Sequence, residues 1–411
     1  MMEFAVTISG GESKRLKTSG KYCPGDILVT AEGNANAAAK PVEPKDVNFY
    51  DYDGTRLYAY TLDELQALTE SPQLPNREGL NCQGWNWTLE DLKAYAKPCD
   101  IMPYYVTNDG ATWFDLVNDT GRTIEVTFRW KQYTNKIQPV LDFGDGSGTF
   151  TTEAVTNGET VSCTHAYAPG TYRAKLSGYY DLGGTGNAIS DLGNTSSVLL
   201  RRVFLGESAA AVGNYAFRNS CQLETITITK NCITKSTQMF QYCTNLKALI
   251  INCKDTLSAS TVTECNSMSV LSLSNGIKVQ NALTKCRSLK RLCIPDTVTT
   301  VSGGYSDNAA MKYVNIPSSI TAISSNSFLR NYALRMLDIP EKVTSIGSSA
   351  FYDCMSLHTL RFHSATPPTV ANANAFTGIP ATCIVEVPEG SLAAYQAATN
   401  YGTVAAQMVG V

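Results

Sequence analysis

Residues 339–362 read IPEKVTSIGSSAFYDCMSLHTLRF, and the spacing of their apolar side chains recurs through the second half of the chain. Leu357 is followed three and five residues later by Leu360 and Phe362, and preceded six and three residues earlier by Phe351 and Cys354. The same arrangement anchors on Leu200, Leu223, Leu246, Met268, Leu289, Met311, Leu334 and Leu357, at successive spacings of 23, 23, 22, 21, 22, 23 and 23 residues. A period this regular is the signature of a solenoid, in which no single repeat can bury its own apolar face and stacked neighbours share one core.

Each column of the repeat has a physical role. The residues three and five past each anchor, from Val203 and Leu205 to Leu360 and Phe362, form the inward face of one short strand per turn. Six before the anchor stand Phe217, Phe240, Val262, Leu283, Tyr305, Phe328 and Phe351, a second core column. Three before it stand Cys243, Cys265, Cys286 and Cys354, with Asn308 and Asn331 replacing cysteine in two rungs. The chain has 13 cysteines and no C-x-x-C pair, which argues against a zinc site, and the odd number argues against a complete disulfide framework. Most of these thiols fill the repeat as small buried apolar groups.

The rungs, residues 339–362 above all, resemble the BspA-like leucine-rich repeats of bacterial surface proteins. The closing stretch ATPPTVANANAFTGIPATCIVEVPEGSLAAYQAA, residues 365–398, is similar to that family's terminal rung and capping helix. The resemblance covers about residues 195–402. It implies an Asn/Cys column that caps backbone groups inside the turn, and adhesion to matrix proteins, other cells or glycans. The N-terminal modules are similar to proteins carried by gut Firmicutes and their prophages.

Ahead of the solenoid the composition changes several times. Residues 1–33 hold two short strand candidates, FAVTI (4–8) and DILVT (26–30), and form a small β unit; residues 34–45 read as a linker. Residues 46–118 form a small α+β module. It opens on VNFYDYDGTRLYAYT, in which Asp-Gly between alternating runs signals a hairpin, and continues with two helices capped by Thr61 and Thr88. DYDGT (51–55) also fits the D-x-D-G-T signature of haloacid-dehalogenase-like phosphatases, which would make Asp51 a nucleophile and Asp53 an acid or base. Such an enzyme needs the motif at the end of a buried parallel strand that leads into a helix, whereas here the alternating strand RLYAY follows directly. The expectation is a turn. Residues 119–182 carry DFGDGS (142–147) and HAYAPGTYRAKL (165–176), which resemble the polycystic-kidney-disease (PKD) domain, although Leu141 stands where an aromatic residue is common. That resemblance implies a β-sandwich spacer and binding module without chemistry, with Asp142, Asp145 and His165 as turn and packing residues. Residues 181–194 read as a connector, and the solenoid with its cap occupies 195–411. The expected fold class is therefore multi-domain α+β, ending in a leucine-rich-repeat solenoid of parallel strands.

With 43% hydrophobic residues, 17% charged residues and a net charge of −3, the chain has a soluble globular composition, and bulk charge does not suggest a nucleic-acid partner. Neither an apolar run of about 18 residues nor a signal-peptide pattern is visible, so membrane insertion is not expected. One residue after each anchor stand Arg201, Glu224, Lys247, Ser269, Lys290, Lys312, Arg335 and His358. At about 4.8 Å per rung these form a predominantly basic edge about 34 Å long, with Arg202, Arg291 and Arg361 adding charge beside it and Tyr313 an aromatic ring. The edge is either an ordinary solvated border or a groove for an anionic polymer such as a sulfated or sialylated glycan or teichoic acid. The three histidines, His165, His358 and His363, join no hydrolase or metalloprotease motif, so no catalytic residue, metal or cofactor is expected. The sequence reads as a non-enzymatic extracellular or cell-surface binding protein that recognises a host matrix or cell-surface protein or glycan, or a bacterial envelope glycan, through its repeat face. The alternative is a tail-associated receptor-binding or structural protein of a phage or prophage particle. A phosphatase acting through Asp51 comes third.

Overall fold

The computed structural model describes residues 45–152, 156–183, 186–190, 199–228, 237–251, 261–274, 283–298 and 304–411, together with short strands at 5–7, 13–15, 256–257 and 278–279. The chain divides into two units, residues 1–43 and 44–411. In the first, strand Ala5–Thr7 pairs antiparallel with Ser13–Arg15. The predicted strand at 26–30 and the linker at 34–44 lie outside the described residues.

The second unit begins with the hairpin expected from the Asp-Gly signal. Strand Val47–Tyr50 pairs antiparallel with Arg56–Tyr60 and parallel with Cys99–Ile101. Gly54, at φ 87°, supplies the left-handed residue the turn requires, and its amide donates to Asp51 O at 3.1 Å. Helix Leu62–Ala67 starts at a capping box between Thr61 and Glu64, and helix Leu89–Tyr95 starts at Thr88, whose hydroxyl accepts from Asp91 N. Val47, Phe49, Leu65, Trp87, Leu92 and Ile101 form the core of this module.

Strand pairing then runs without interruption from the sandwich into the solenoid. One eight-stranded sheet takes the order Thr149–Thr151, Val140–Asp142, Gly170–Ser177, Thr112–Asn118, Leu200–Phe204, Thr225–Thr227, Ala248–Ile251 and Val270–Leu273. Its pairs are antiparallel through the sandwich and parallel from Leu200–Phe204 onward. The facing sheet contains Glu159–Tyr167, Ile124–Gln132, Tyr180–Leu182 and Ala209–Val212, and it too passes into the solenoid. Trp130, Phe128, Phe114, Tyr167 and Tyr180 fill the space between the two sheets. Strand Thr112–Asn118, the last element of the span 46–118, thus hydrogen-bonds both to the sandwich and to the first rung of the solenoid. The physical reason is the solenoid's open end: an unpaired parallel strand and an exposed core column need a cover, and the sandwich supplies both layers of it.

Within the solenoid the columns occupy the positions the period assigns them. Phe217 stacks on Phe240 at 5.8 Å, and Tyr305, Phe328, Phe351 and Phe376 stack in sequence at 5.8, 5.9 and 6.0 Å. The thiols of Cys243, Cys265 and Cys354 donate to the carbonyls of Phe217, Phe240 and Phe328 at 3.0, 2.9 and 3.4 Å. Asn308 and Asn331 take over with better donors, both reaching Tyr305 O at 2.9 Å. This column does cap backbone groups inside the turn. Each rung also needs one left-handed residue four before its anchor, and here Asn219, Tyr242, Glu264, Lys285, Asp307, Arg330 and Asp353 hold φ between 56° and 64° without glycine. The far end closes with strands Ile384–Val387 and Met408–Gly410 and helix Leu392–Ala397, whose Tyr395, with Tyr401, is fully buried against Phe362.

Candidate functional site

The α+β module covers part of the outward side of the solenoid strands. Trp87 Nε1 donates to Leu273 O at 2.8 Å, Asn86 Nδ2 to Ser272 Oγ at 2.8 Å, and Ser272 Oγ to Asp100 O at 2.7 Å. Further along, Tyr95 OH reaches Ile294 O at 3.2 Å, Cys293 Sγ reaches Pro98 O at 3.0 Å, and Lys97 pairs with Asp296 at 3.0 Å. Tyr104 and Ser274 share a hydrogen bond. Beneath these contacts the outward positions are small or apolar: Ala248, Ile250, Val270, Ser272 and Cys293 are all buried. At Gly206 a Cβ would lie 2.1 Å from Gly110 O, so only glycine fits there.

The predicted basic edge exists as a ladder, because backbone amides link its members from rung to rung. Glu224 N donates to Arg201 O, Lys247 N to Glu224 O, Ser269 N to Lys247 O, Lys312 N to Lys290 O, Arg335 N to Lys312 O and His358 N to Arg335 O. Its two halves differ in ion pairing. At the sandwich end Arg201 pairs with Asp119 at 3.4 Å, Arg202 with Asp115 at 2.8 Å and Lys247 with Glu224 at 3.6 Å. Farther along, Lys290, Lys312 and Arg335 are exposed and have no ion-pair partner among the described residues. Arg361 lies between Glu386 and Asp338, at 2.5 and 3.3 Å, and the hydrogen bond to Glu386 raises its already high pKa.

Of the nine candidate residues, the fold gathers Lys290, Arg291, Lys312 and Tyr313 around one cleft of about 400 Å³ and leaves Arg201, Arg202, Lys247, Arg335 and Arg361 off its walls. The opposite wall belongs to the α+β module and includes Asn48, Tyr50, Arg56 and Asp100. Arg291 is a tether between the two walls: its guanidinium donates to Lys45 O at 3.0 Å and to Asp46 O, and lies 3.4 Å from Asp100 Oδ1. Burial pushes the Asp100 carboxyl up from its ordinary value, while Arg291 and Asn48 pull it down. Burial likewise pushes the Tyr313 phenol up. Tyr313 also borders a second cleft of about 450 Å³, whose charges are mixed: Lys97, Asp338, Glu341 and Arg361. Sequence reasoning missed Arg56 and Tyr50, because nothing local in the hairpin connects it to rungs more than two hundred residues later. A faint signal was present in the uncharged outward positions Ala248, Ile250, Val270, Ser272 and Cys293, which mark a covered face.

The DYDGT stretch forms a turn. Asp51, 1% exposed, accepts from Tyr52 N at 2.8 Å, Tyr105 OH at 2.8 Å and Arg77 Nε at 2.6 Å, and Asp53 Oδ1 accepts from Thr55 N at 2.8 Å. In the sandwich, His165 Nε2 meets Asp145 Oδ2 at 2.6 Å and Ser147 Oγ at 3.4 Å while its ring stacks on Phe143 at 3.9 Å. One ring nitrogen faces both neighbours, so Ser147, His165 and Asp145 do not make a relay in which aspartate and serine use opposite nitrogens. Among the described residues no group of three His, Cys, Asp or Glu side chains is placed to hold a metal ion, and no helix is long and apolar enough to cross a membrane.

The family described as BspA type leucine rich repeat region matches the chain in six copies, over residues 194–279 and 255–381. No curated protein matches. Solved structures with similarity include a leucine rich cell surface protein from Faecalibacterium prausnitzii A2-165, at 15% identity over 63% of this chain and 88% of that one with a TM-score of 0.31. A leucine-rich repeat protein from Bacteroides ovatus ATCC 8483 matches at 15% identity over 57% and 71%, TM-score 0.29. The pneumococcal vaccine antigen PcpA matches at 12% identity over 49% and 76%, TM-score 0.23. Over residues 194–381 this protein is similar to the BspA-type leucine-rich-repeat family, and its rungs stack as a solenoid of parallel strands.

Proposed function

We propose that this is a non-enzymatic cell-surface binding protein which holds a macromolecular ligand along the uncovered, C-terminal half of its strand face. The observation that carries the reading is the contrast along the ladder. Lys290, Lys312 and Arg335 stand exposed on successive rungs without ion-pair partners among the described residues, whereas the cations nearer the sandwich are paired. Three unpaired charges at about 4.8 Å spacing favour a ligand with repeating negative charge and would steer its approach. Beside them runs a partly apolar column, Tyr313, Met336, Thr359 and Ile384, in which Met336 is 38% and Ile384 50% exposed. A rigid solenoid limits the entropic cost of binding along such a face. The sandwich, with its PKD-like DFGDGS turn, serves as spacer and end cap. Partners of fitting chemistry are host matrix or cell-surface glycoproteins and bacterial envelope glycans.

The test is binding of the full chain and of a Lys290→Glu, Lys312→Glu, Arg335→Glu variant to an array of host glycoproteins and bacterial envelope glycans, at low and moderate salt. The expected outcome is salt-sensitive binding by the parent and at least about a tenfold loss in the variant. Equal binding by the two proteins would remove the ladder from the function.

A further inference from the structure

We infer that Cys99 of the α+β module and Cys293 of the solenoid are a cross-link site, joined under oxidising conditions by a disulfide that latches the module onto the strand face. Neither thiol belongs to the column that caps the rungs. Cys243, Cys265, Cys286 and Cys354 stand three before their anchors, whereas Cys293 stands four after Leu289, on the outward side of its rung. The equivalent residues of the next three rungs are Asn315, Asp338 and Arg361, so the repeat does not require a thiol there. Cys293 instead joins the core of the module, which it shares with Val47, Trp87, Tyr95 and Cys99. Its Sγ donates to the carbonyl of Pro98, the residue beside Cys99, at 3.0 Å, and its side chain interacts directly with that of Cys99. The contacts of Tyr95 with Ile294 and of Lys97 with Asp296 hold the two surfaces together next to the pair.

The step needs an external oxidant, and a low-molecular-weight disulfide supplies it. Cys293, the more exposed of the two, attacks one sulfur of that disulfide as a thiolate and releases the other as a small thiol. The Cys99 thiolate then attacks the Cys293 sulfur of the mixed disulfide and releases the second small thiol. Two electrons pass from the protein to the external disulfide, and the protons of Cys99 and Cys293 end on the two released thiols. While the module is seated the pair reacts slowly, because burial pushes the Cys293 thiol up and only the thiolate is nucleophilic. Reaction follows transient lifting of the module, and the bond then opposes the next lifting by closing a long loop of chain. The latch thereby keeps Ala248, Ile250 and Val270 covered. Cys265 and Cys286 are a second neighbouring pair, on successive rungs. Both are wholly buried inside the solenoid, with their thiols directed at the carbonyls of Phe240 and Val262, so an oxidant reaches them only if rungs unfold.

The test is oxidation of the full chain by excess oxidised glutathione without denaturant, followed by alkylation of the remaining thiols in denaturant and peptide mapping. A peptide linking Cys99 to Cys293 should accumulate, while Cys265 and Cys286 are recovered alkylated. Amide exchange of strands Ala248–Ile251 and Val270–Leu273 should slow at least about threefold in the oxidised protein and recover with dithiothreitol. Cys293→Ser should abolish both the linked peptide and the effect of the oxidant on exchange. Cys221→Ser, at a half-buried thiol of the solenoid outside this core, should leave both unchanged. Recovery of Cys99 and Cys293 as free thiols or as separate glutathione adducts would overturn the cross-link site, as would a Cys265–Cys286 link formed in preference to it. A Cys99–Cys293 link that leaves exchange of the two strands unchanged would overturn the latch.

Discussion

At the scale of single residues, context decides what a charged side chain does. Asp51 matches a nucleophile motif by sequence, yet its carboxylate is buried under Arg77, Tyr105 and a backbone amide, and the next strand returns antiparallel. The motif alone does not hold that information, because the donors come from 26 and 54 residues away. Asp145 shows the same dependence on neighbours. The Ser147 hydroxyl, then the His165 ring and the Ser147 amide, hold its carboxyl down from an ordinary 3.8 to about 2. Its folded value being the lower one, the stabilisation is complete above the unfolded value and is lost as pH falls from about 4 towards 2. Melting temperatures of the parent and Asp145→Asn should therefore differ at pH 5 and converge as pH approaches 2. A gap that stays constant down to pH 2 would contradict this assignment.

At the scale of elements, the aromatic column is the solenoid's continuous internal contact. Phe328 stacks between Tyr305 and Phe351 and is fully buried. Phe328→Ala would leave a cavity spanning two rung interfaces, at a cost of about 3–5 kcal/mol. Because a solenoid's stability is a sum of neighbouring interfaces, the loss should be local. Amide exchange should accelerate first in the rungs from Tyr305 to Phe351 and leave the sandwich strands protected. Uniform acceleration across both would mean that the solenoid and sandwich unfold as one unit.

At the scale of the whole molecule, the decisive feature is the docking of the α+β module on the strand face. Trp87, 5% exposed, contributes its ring to the module core, where it packs 5.0 Å from Tyr95, and its indole N–H to Leu273 O. Trp87→Ala should cost about 3–5 kcal/mol in the module and loosen its hold on the solenoid. The measurement is amide exchange of strands Ala248–Ile251 and Val270–Leu273 together with binding of an apolar dye. Both should rise, because Ile250 and Val270 would meet water. Unchanged protection of these two strands would show that the remaining contacts suffice to keep the face covered.

The sequence by itself determined the solenoid, its rung boundaries, its inward columns and the position of the basic ladder. Each of these follows from a period repeated eight times, and a periodic signal survives without knowledge of the rest of the fold. It also held the two helix caps and the Asp-Gly turn, which depend on neighbours within a few residues. Tertiary structure alone decided that the sandwich sheets run on into the solenoid and that a hairpin near residue 50 lies beside rungs near residue 300. It also decided which charges of the ladder stand exposed and without an ion-pair partner among the described residues. Those outcomes depend on pairings across 80 to 250 residues, and an aperiodic chain carries no local mark of which distant surface will cover it.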